Sequence, residues 1–466
     1  GGLVGSEMCI RDRRWFAYAN VPYRLAPYSS LVADPHATID YDEPAEERIL
    51  ARVAEIGQDG KLMAAPDGDV YLVTMIEKLL VPVLAKLSNL VPGGGIWMNT
   101  QRPEWNDANN ALVGNGLSMV TAYYLRRHID EIAALLERAG LDTVDISREV
   151  VAWMGALADV FEGNDGHIGE ELSAVARRRI VDSLGDAFSK YRATIYSSGF
   201  SGSQPVAMSQ VVVLLTSALR HLDDTIDRNR RNDGLFHSYN LVDFRDGDDV
   251  CLVEHLATML EGQVAALSSG VLTAEQKVDL LEALSSSDLY RADQRSFVLY
   301  PPRRLPPFLE KNIIPEELVA ESRLLQKLVA SGDRRLIDVD GAGRYRFAPS
   351  CINKGALEDE LDRIAADTQW RDLVGGERNL VLGAYESVFN HHAYTGRSGS
   401  MYGFEGIGSI YWHMVGKLLV AIQESVLEAH DASDATTARS LKDYYWRVRS
   451  GLGFEKTAAE YGAFPM

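Results

Sequence analysis

Cysteine is scarce in this chain. Cys9, Cys251 and Cys351 are the three in 466 residues, and no two stand at CxxC spacing. Neither a zinc site nor a disulfide framework is suggested. Long apolar runs are missing too: no stretch reaches about 18 apolar residues, so no membrane span is expected. Positive charge is in deficit, with 47 Lys and Arg against 66 Asp and Glu, a formal net charge of −19. Such a chain repels phosphate backbones, which argues against nucleic acid as a partner. No HExxH, Walker loop, GxSxG or strand-preceded GxGxxG occurs. Zinc proteolysis, nucleotide hydrolysis, serine esterase chemistry and Rossmann binding therefore lack support, and no organic cofactor is implied. Strand signals are sparse, no internal repeat is visible, and no low-complexity linker divides the chain.

What is present is helical patterning. Apolar residues make up 46% and charged residues 24%, ordinary for a soluble globular protein. Val211–Ile226 carries Val211, Leu214, Leu215, Ala218, Leu219, Leu222 and Ile226, the stripe of an amphipathic helix. Leu117–Ala139 repeats the stripe and stops at Gly140, and Ile407–Val426 repeats it again. Further helices are expected near 46–57, 71–90, 147–162, 169–196, 250–267, 274–284, 315–330, 355–366, 376–389 and 435–449. Leu336–Phe347 reads as a small hairpin turning on Asp340–Gly343. The opening Gly1–Arg13 lacks periodicity and resembles translated sequencing-adapter sequence. It is set aside as an adapter-like or disordered tail, leaving 14–466 as one expected domain. If it is adapter, the native chain continues upstream. The favoured location is cytoplasmic, read without the native start, and a homodimer stays open.

The loops 91–116, 232–249, 288–314 and 389–406 are rich in Gly, aromatic and charged residues. Rigid helices that present such loops on one rim form a binding scaffold. Thr100–Asn110, TQRPEWNDANN, sets Glu104 and Asp107 beside Trp105, with Arg102, Asn106, Asn109 and Asn110 nearby. An indole next to a carboxyl raises its pKa, as a general acid at neutral pH requires, and an indole face stacks on sugar. The plain alternative is a polar loop that caps the next helix. His391–Met414 is Gly-rich, holds Glu405 and runs into an apolar helix, so Glu405 can serve as a base for water or merely face a helix dipole. In Gly234–Phe244, His237 and Asn240 are candidates for hydroxyl recognition, as is Arg291, with Asp293 and Gln294, in Leu289–Asn312. A lone His in an aromatic loop is more often structural.

One motif looks like a decoy. His221–Arg231 matches the DDxxD of magnesium-dependent isoprenoid synthases, with Asp223, Asp224 and Asp227 for metal and Arg230 and Arg231 for diphosphate. Glu358, Asp359 and Asp362 offer a second acidic set. The plainer reading is helix-surface ion pairing, Asp224 with Arg228 and Asp227 with Arg231, acid first at i, i+4.

Trp105-Asn106-Asp107 resembles the WND motif of the cellobiose and chitobiose phosphorylase family, glycoside hydrolase family 94, whose members are six-hairpin (α/α)6 barrels. The resemblance implies an all-α barrel with one small β-hairpin decoration, and Asp107 as the acid that protonates the glycosidic oxygen. The expected substrate site comprises Arg102, Glu104, Trp105, Asn106, His237, Asn240, Arg291, His391, Tyr394, Arg397 and Tyr402. Where the phosphorylases carry a Thr-Gly pair for phosphate, this chain has Glu405-Gly406. A carboxylate there repels phosphate and can deprotonate water, so hydrolysis by inversion is the expected reaction on a β-linked oligosaccharide. Phosphorolysis, the isoprenoid synthase and a non-catalytic sugar-binding or scaffold protein stand as alternatives. For inversion, Asp107 and Glu405 would sit roughly 6.5–9.5 Å apart. Only two clear helices precede Asp107, so either early barrel helices are missing or their order differs.

Overall fold

The computed structural model describes residues 14–35, 38–100, 112, 114–244, 249–301, 307–390 and 410–457. The chain is mostly helical with a few small sheets. Among the described residues no helix is long and apolar enough to cross a membrane. The described residues group into two compact units. The first unit comprises the described residues up to Pro301 and from Ile410 onward, and the second comprises 307–390.

In the first unit the main helices are α1 (Glu43–Ile56), α2 (Met75–Leu87), α3 (Met119–Ala139), α4 (Arg148–Gly163), α5 (Ala174–Ser198), α6 (Met208–Asp227), α7 (Leu260–Ser268) and α8 (Ala274–Ser285). Their ends follow from local chemistry. Asp42, Thr74, Ser118 and Ser173 each accept a hydrogen bond from a first-turn amide, and Thr273 with Gln276 forms a capping box. Gly140 closes α3 in the left-handed conformation. The stripe on α6 is buried at Val211, Leu214, Leu215, Ala218, Leu222 and Ile226. It packs on α3 through the shared core. Helix α7 is buried on every face from Leu260 to Leu267, so it runs through the interior.

The sheets depart from the sequence expectation. Strands β1 (Leu90–Val91), β2 (Gly95–Trp97) and β3 (Gly116–Ser118) precede β4 (Thr143–Ser147), β5 (Ser203–Ala207), β6 (Tyr239–Asp243) and β7 (Leu252–His255). The order β7-β6-β3-β2-β1 makes one antiparallel sheet, and β4 pairs with β5. The expected helix over 250–267 is strand β7 followed by α7. Pairing of Val253 with Val242 across the ladder overrides a periodicity too short to separate the two structures. An all-α class with one hairpin is thus corrected to mostly helical with several small sheets. Two glycines admit the close packing of this sheet. Gly95 has φ +118°, and a Cβ there would sit 3.0 Å from the Ser118 carbonyl; at Gly116 it would sit 2.5 Å from the Leu112 carbonyl oxygen.

The second unit contains α9 (Arg323–Ser331), the hairpin β8 (Ile337–Val339) and β9 (Tyr345–Phe347), α10 (Lys354–Ala366) and α11 (Arg371–Phe389). It has its own core, including Leu324, Leu328, Ile337, Phe347, Leu361 and Tyr385. The hairpin turns where the sequence suggests: Asp340 accepts from the Ala342 and Arg344 amides and pairs with Arg344 and Arg346. Ile337 and Phe347 are each 1% exposed, so the hairpin belongs to that core rather than decorating a surface.

The chain then returns to the first unit through α12 (Trp412–Asp431) and α13 (Ala435–Arg449). Helices α7 and α8, before the second unit, pack against α12, after it. The second unit is therefore an insertion within a helical unit whose two halves close on each other.

Candidate functional site

The sheet holds the root of the TQRPEWNDANN loop. Strands β2 and β3 are its two stems, and β3 lies between β2 and β6. Below the loop the Met98 amide donates to Gly116 and the Gly114 amide to Met98. The Trp97 indole N–H donates to the Gly114 carbonyl at 2.6 Å. Asn99 donates to Asn89, and Thr100 donates to Asn99. Both stems are buried and paired, so the sheet fixes the place from which the loop departs. Arg102, Glu104, Trp105, Asn106 and Asp107 lie outside the described residues, as do His391, Tyr394, Arg397, Tyr402 and Glu405.

His237, Asn240 and Arg291 are described. Arg291 is bidentate with Asp293 at a solvent-exposed turn, and the structure brings it to neither histidine. His237 and Asn240, on β6 and the segment before it, are linked through a third residue, His255. Asn240 is fully buried. Its amide donates to the Gly94 carbonyl at 2.7 Å and to Asn229 Oδ1 at 2.8 Å. Asn229, also fully buried, donates in turn to the Gly93 and Thr225 carbonyls. With both amide protons of Asn240 engaged, its Oδ1 must accept, so the 2.8 Å contact to His255 Nδ1 is an imidazole N–H donation. This fixes the His255 tautomer. Asn240, a candidate for sugar hydroxyls, thus spends its hydrogen bonds inside the protein.

His255 comes from β7 and was not singled out by the sequence, since its segment reads as helix and its partner lies across the ladder. Its ring stacks on His237, centroids 4.0 Å apart and nearly parallel. Burial, the His255 ring and Arg231 push His237 down to about 4. Burial with Arg231 and Arg177 lowers His255 as well. Both rings are held toward the neutral form. A cavity of about 490 Å³ opens beside them, walled by Arg228, Arg230, Arg231, Asp233, His237 and His255.

Asp223 and Asp224 of the DDxxD motif are committed elsewhere. Asp223 pairs with Arg126, and Asp224 pairs with Arg228 and accepts from the Gly169 amide. Arg231 pairs with Asp233 instead of the expected Asp227. In the second acidic set, Asp362 pairs with Arg378. Among the described residues no cluster of His, Cys, Asp or Glu could hold a metal ion.

Residues 305–392 match the family described as GH149 phosphorylase insertion domain 2. The matched stretch coincides with the separately packed second unit, and the topology makes that unit an insertion. No curated protein matches the chain. The match supports a carbohydrate-active enzyme related to glycoside phosphorylases. The phosphorylase family it names is GH149, where the WND motif resembles family 94.

Proposed function

We propose that this chain is a glycoside phosphorylase acting on a β-linked oligosaccharide. The observation that carries the reading is the match of 305–392 to a phosphorylase insertion domain, on a segment that packs as an insertion. In this reading the first unit belongs to an (α/α)6-type catalytic barrel. Asp107 protonates the leaving glycosidic oxygen as the anomeric C–O bond breaks. A phosphate oxygen attacks the anomeric carbon from the opposite face, giving an inverted sugar 1-phosphate. Arg102, Trp105, Arg397 and Tyr402 shape the sugar site.

Glu405 favours a second reading. A carboxylate where the family 94 resemblance places Thr-Gly disfavours phosphate and suits deprotonation of water, which is hydrolysis by inversion. Incubating the full chain with β-linked gluco-oligosaccharides, with and without phosphate, separates the two. Phosphorolysis requires phosphate and yields sugar 1-phosphate by ion chromatography. Release of reducing sugar without phosphate moves the assignment to hydrolysis. Asp107→Asn is expected to abolish turnover while folding and sugar binding persist. Near-normal turnover in that variant sinks the role of Asp107 under either reading.

A further inference from the structure

We propose that the groove between helix α1 and the end of helix α5 is a docking site for an acidic peptide segment of a partner protein. The inference does not depend on the phosphorylase reading and uses none of its residues.

The groove is a cavity of about 970 Å³ in the first unit. Its floor is apolar, with Ala45, Ile49 and Phe200 buried and Met63 half-buried. Phe200 stacks on Tyr71 with centroids 4.6 Å apart, which ties the floor to the core. Tyr23 and Tyr196, both exposed, supply aromatic walls. Arg24, Arg48 and Arg52 line the same cavity, and its described lining residues include neither Asp nor Glu. The chain has 66 acidic residues against 47 basic, so a groove with cations alone departs from the molecule's balance. An acidic segment that the molecule repels at long range meets a local attractive field here.

Two of the arginines are held in place before any ligand arrives. Arg24 donates to Asp42 and to the Val21 carbonyl, and its guanidinium lies 4.8 Å from the centre of the Tyr196 ring. Arg52 donates to the Leu62, Gly68 and Asp69 carbonyls. These bonds leave Arg24 Nη2 and Arg52 Nε without a partner among the described residues. A guanidinium offers five N–H donors, so one edge can be anchored while another meets a carboxylate. Arg48 is exposed, and its side chain makes no hydrogen bond or ion pair among the described residues.

A second cavity, of about 300 Å³, flanks the same end of α5, with Thr194 on its wall where Ile195 lines the larger one. It adds Arg148 and Lys190, both exposed and without a side-chain hydrogen bond or ion pair among the described residues. The acid it contributes, Glu149, accepts from the amide and the hydroxyl of Ser201, which lines the larger cavity. That contact joins the two cavities. Arg48, Arg148 and Lys190 are therefore uncommitted cations spread over two adjacent hollows, which suits an extended chain better than a compact ion.

The polar groups favour a peptide. The Asn20 side chain lines the larger cavity and makes no hydrogen bond among the described residues. A single amide can both accept from and donate to a peptide backbone. Apolar or aromatic side chains fit the floor while acids meet the cations, as in acidic-motif recognition by arginine clusters. A nucleic acid carries a charge on every phosphate and meets the repulsion of a net −19 chain along its whole length. A second copy brings another −19. A short acidic segment on a less acidic partner avoids both costs.

The test is fluorescence anisotropy with the full chain at about 0.15 M ionic strength. The probe is a fluorescein-labelled peptide, Glu-Phe-Asp-Glu-Leu-Glu-Phe-Asp. It is compared with a version carrying Lys for every acid, a version carrying Ser for every Phe and Leu, and a short oligothymidylate. The acidic peptide is expected to bind saturably below about 1 mM. The Lys version and the oligothymidylate should not saturate there, and the Ser version should bind more weakly. Combined Arg48→Gln and Lys190→Gln, both at exposed side chains, should keep the parent circular dichroism and weaken binding about tenfold or more. The proposal is overturned if the acidic peptide does not saturate, if the Lys version or the oligothymidylate binds as tightly, or if the double variant binds like the parent. Sedimentation velocity on parent and double variant tests the remaining occupant: a dimer lost in the variant gives the groove to a second copy and overturns the partner assignment. Binding is read without turnover, so failure of phosphorolysis leaves the result unaffected.

Discussion

Replacing Asn240 with alanine distinguishes a structural amide from a ligand-binding one. Asn240→Ala removes both donors to the Gly94 carbonyl and Asn229 Oδ1 and the acceptor of the His255 N–H. Asn229 is fully buried and Gly94 is buried, so neither acceptor recovers a partner from water without rearrangement. His255 is exposed and can regain one. Each buried group left unsatisfied costs about 1–3 kcal/mol, so the two together cost about 2–6 kcal/mol. At about 2 °C per kcal/mol, the value for larger domains, the first unit should melt about 4–12 °C lower. Thermal unfolding by circular dichroism measures this, with a sugar-binding titration on the same sample below the transition. An unchanged melting temperature together with weakened sugar binding would refute the structural account and return Asn240 to hydroxyl recognition.

His237 makes stability pH-dependent. Burial lowers the imidazole from its ordinary value of 6.5 to about 4 in the folded protein. Its neutral burial therefore stabilises fully above 6.5, and that stability, about 3 kcal/mol, is lost as pH falls from 6.5 toward 4. His237→Gln should flatten the melting temperature over that interval, and an unaltered slope would show that the acid sensitivity arises elsewhere. Asp224→Asn should destabilise by about 1.5–3 kcal/mol through the lost charge-assisted bonds to Arg228, with no magnesium effect in either protein; a magnesium-dependent rise in melting temperature that vanishes in the variant would restore the metal reading. Gly116→Ala presses a Cβ against Leu112 and Met98 at the root of the WND loop. Overpacking there should cost about 1–3 kcal/mol and lower turnover beyond the loss of folded protein. Parent-like turnover in the folded fraction would show that the stem does not position the loop.

Most of the helices were legible along the chain, the segment 250–259 being an exception. Stripes such as Val211 to Ile226, and caps such as Ser118 and Gly140, are local, because a helix is written in neighbours three or four residues apart. The hairpin at Asp340 was legible for the same reason: a turn carries its own hydrogen bonds. The identity of the WND motif was likewise in the sequence. Tertiary structure decided what depends on distant segments. Strand β7 exists because Val253 finds Val242, and β3 serves two neighbours, β2 and β6, only after the chain has closed. The insertion became visible when α7 and α8 packed on α12 across an interval with no linker to mark it. His255 entered the candidate site through a side-chain hydrogen bond to Asn240, its partner across the ladder, whereas the Asp224–Arg228 pair was already legible as an i, i+4 spacing. Periodicity along a chain specifies which face is buried, and only the fold specifies what that face and its polar neighbours meet.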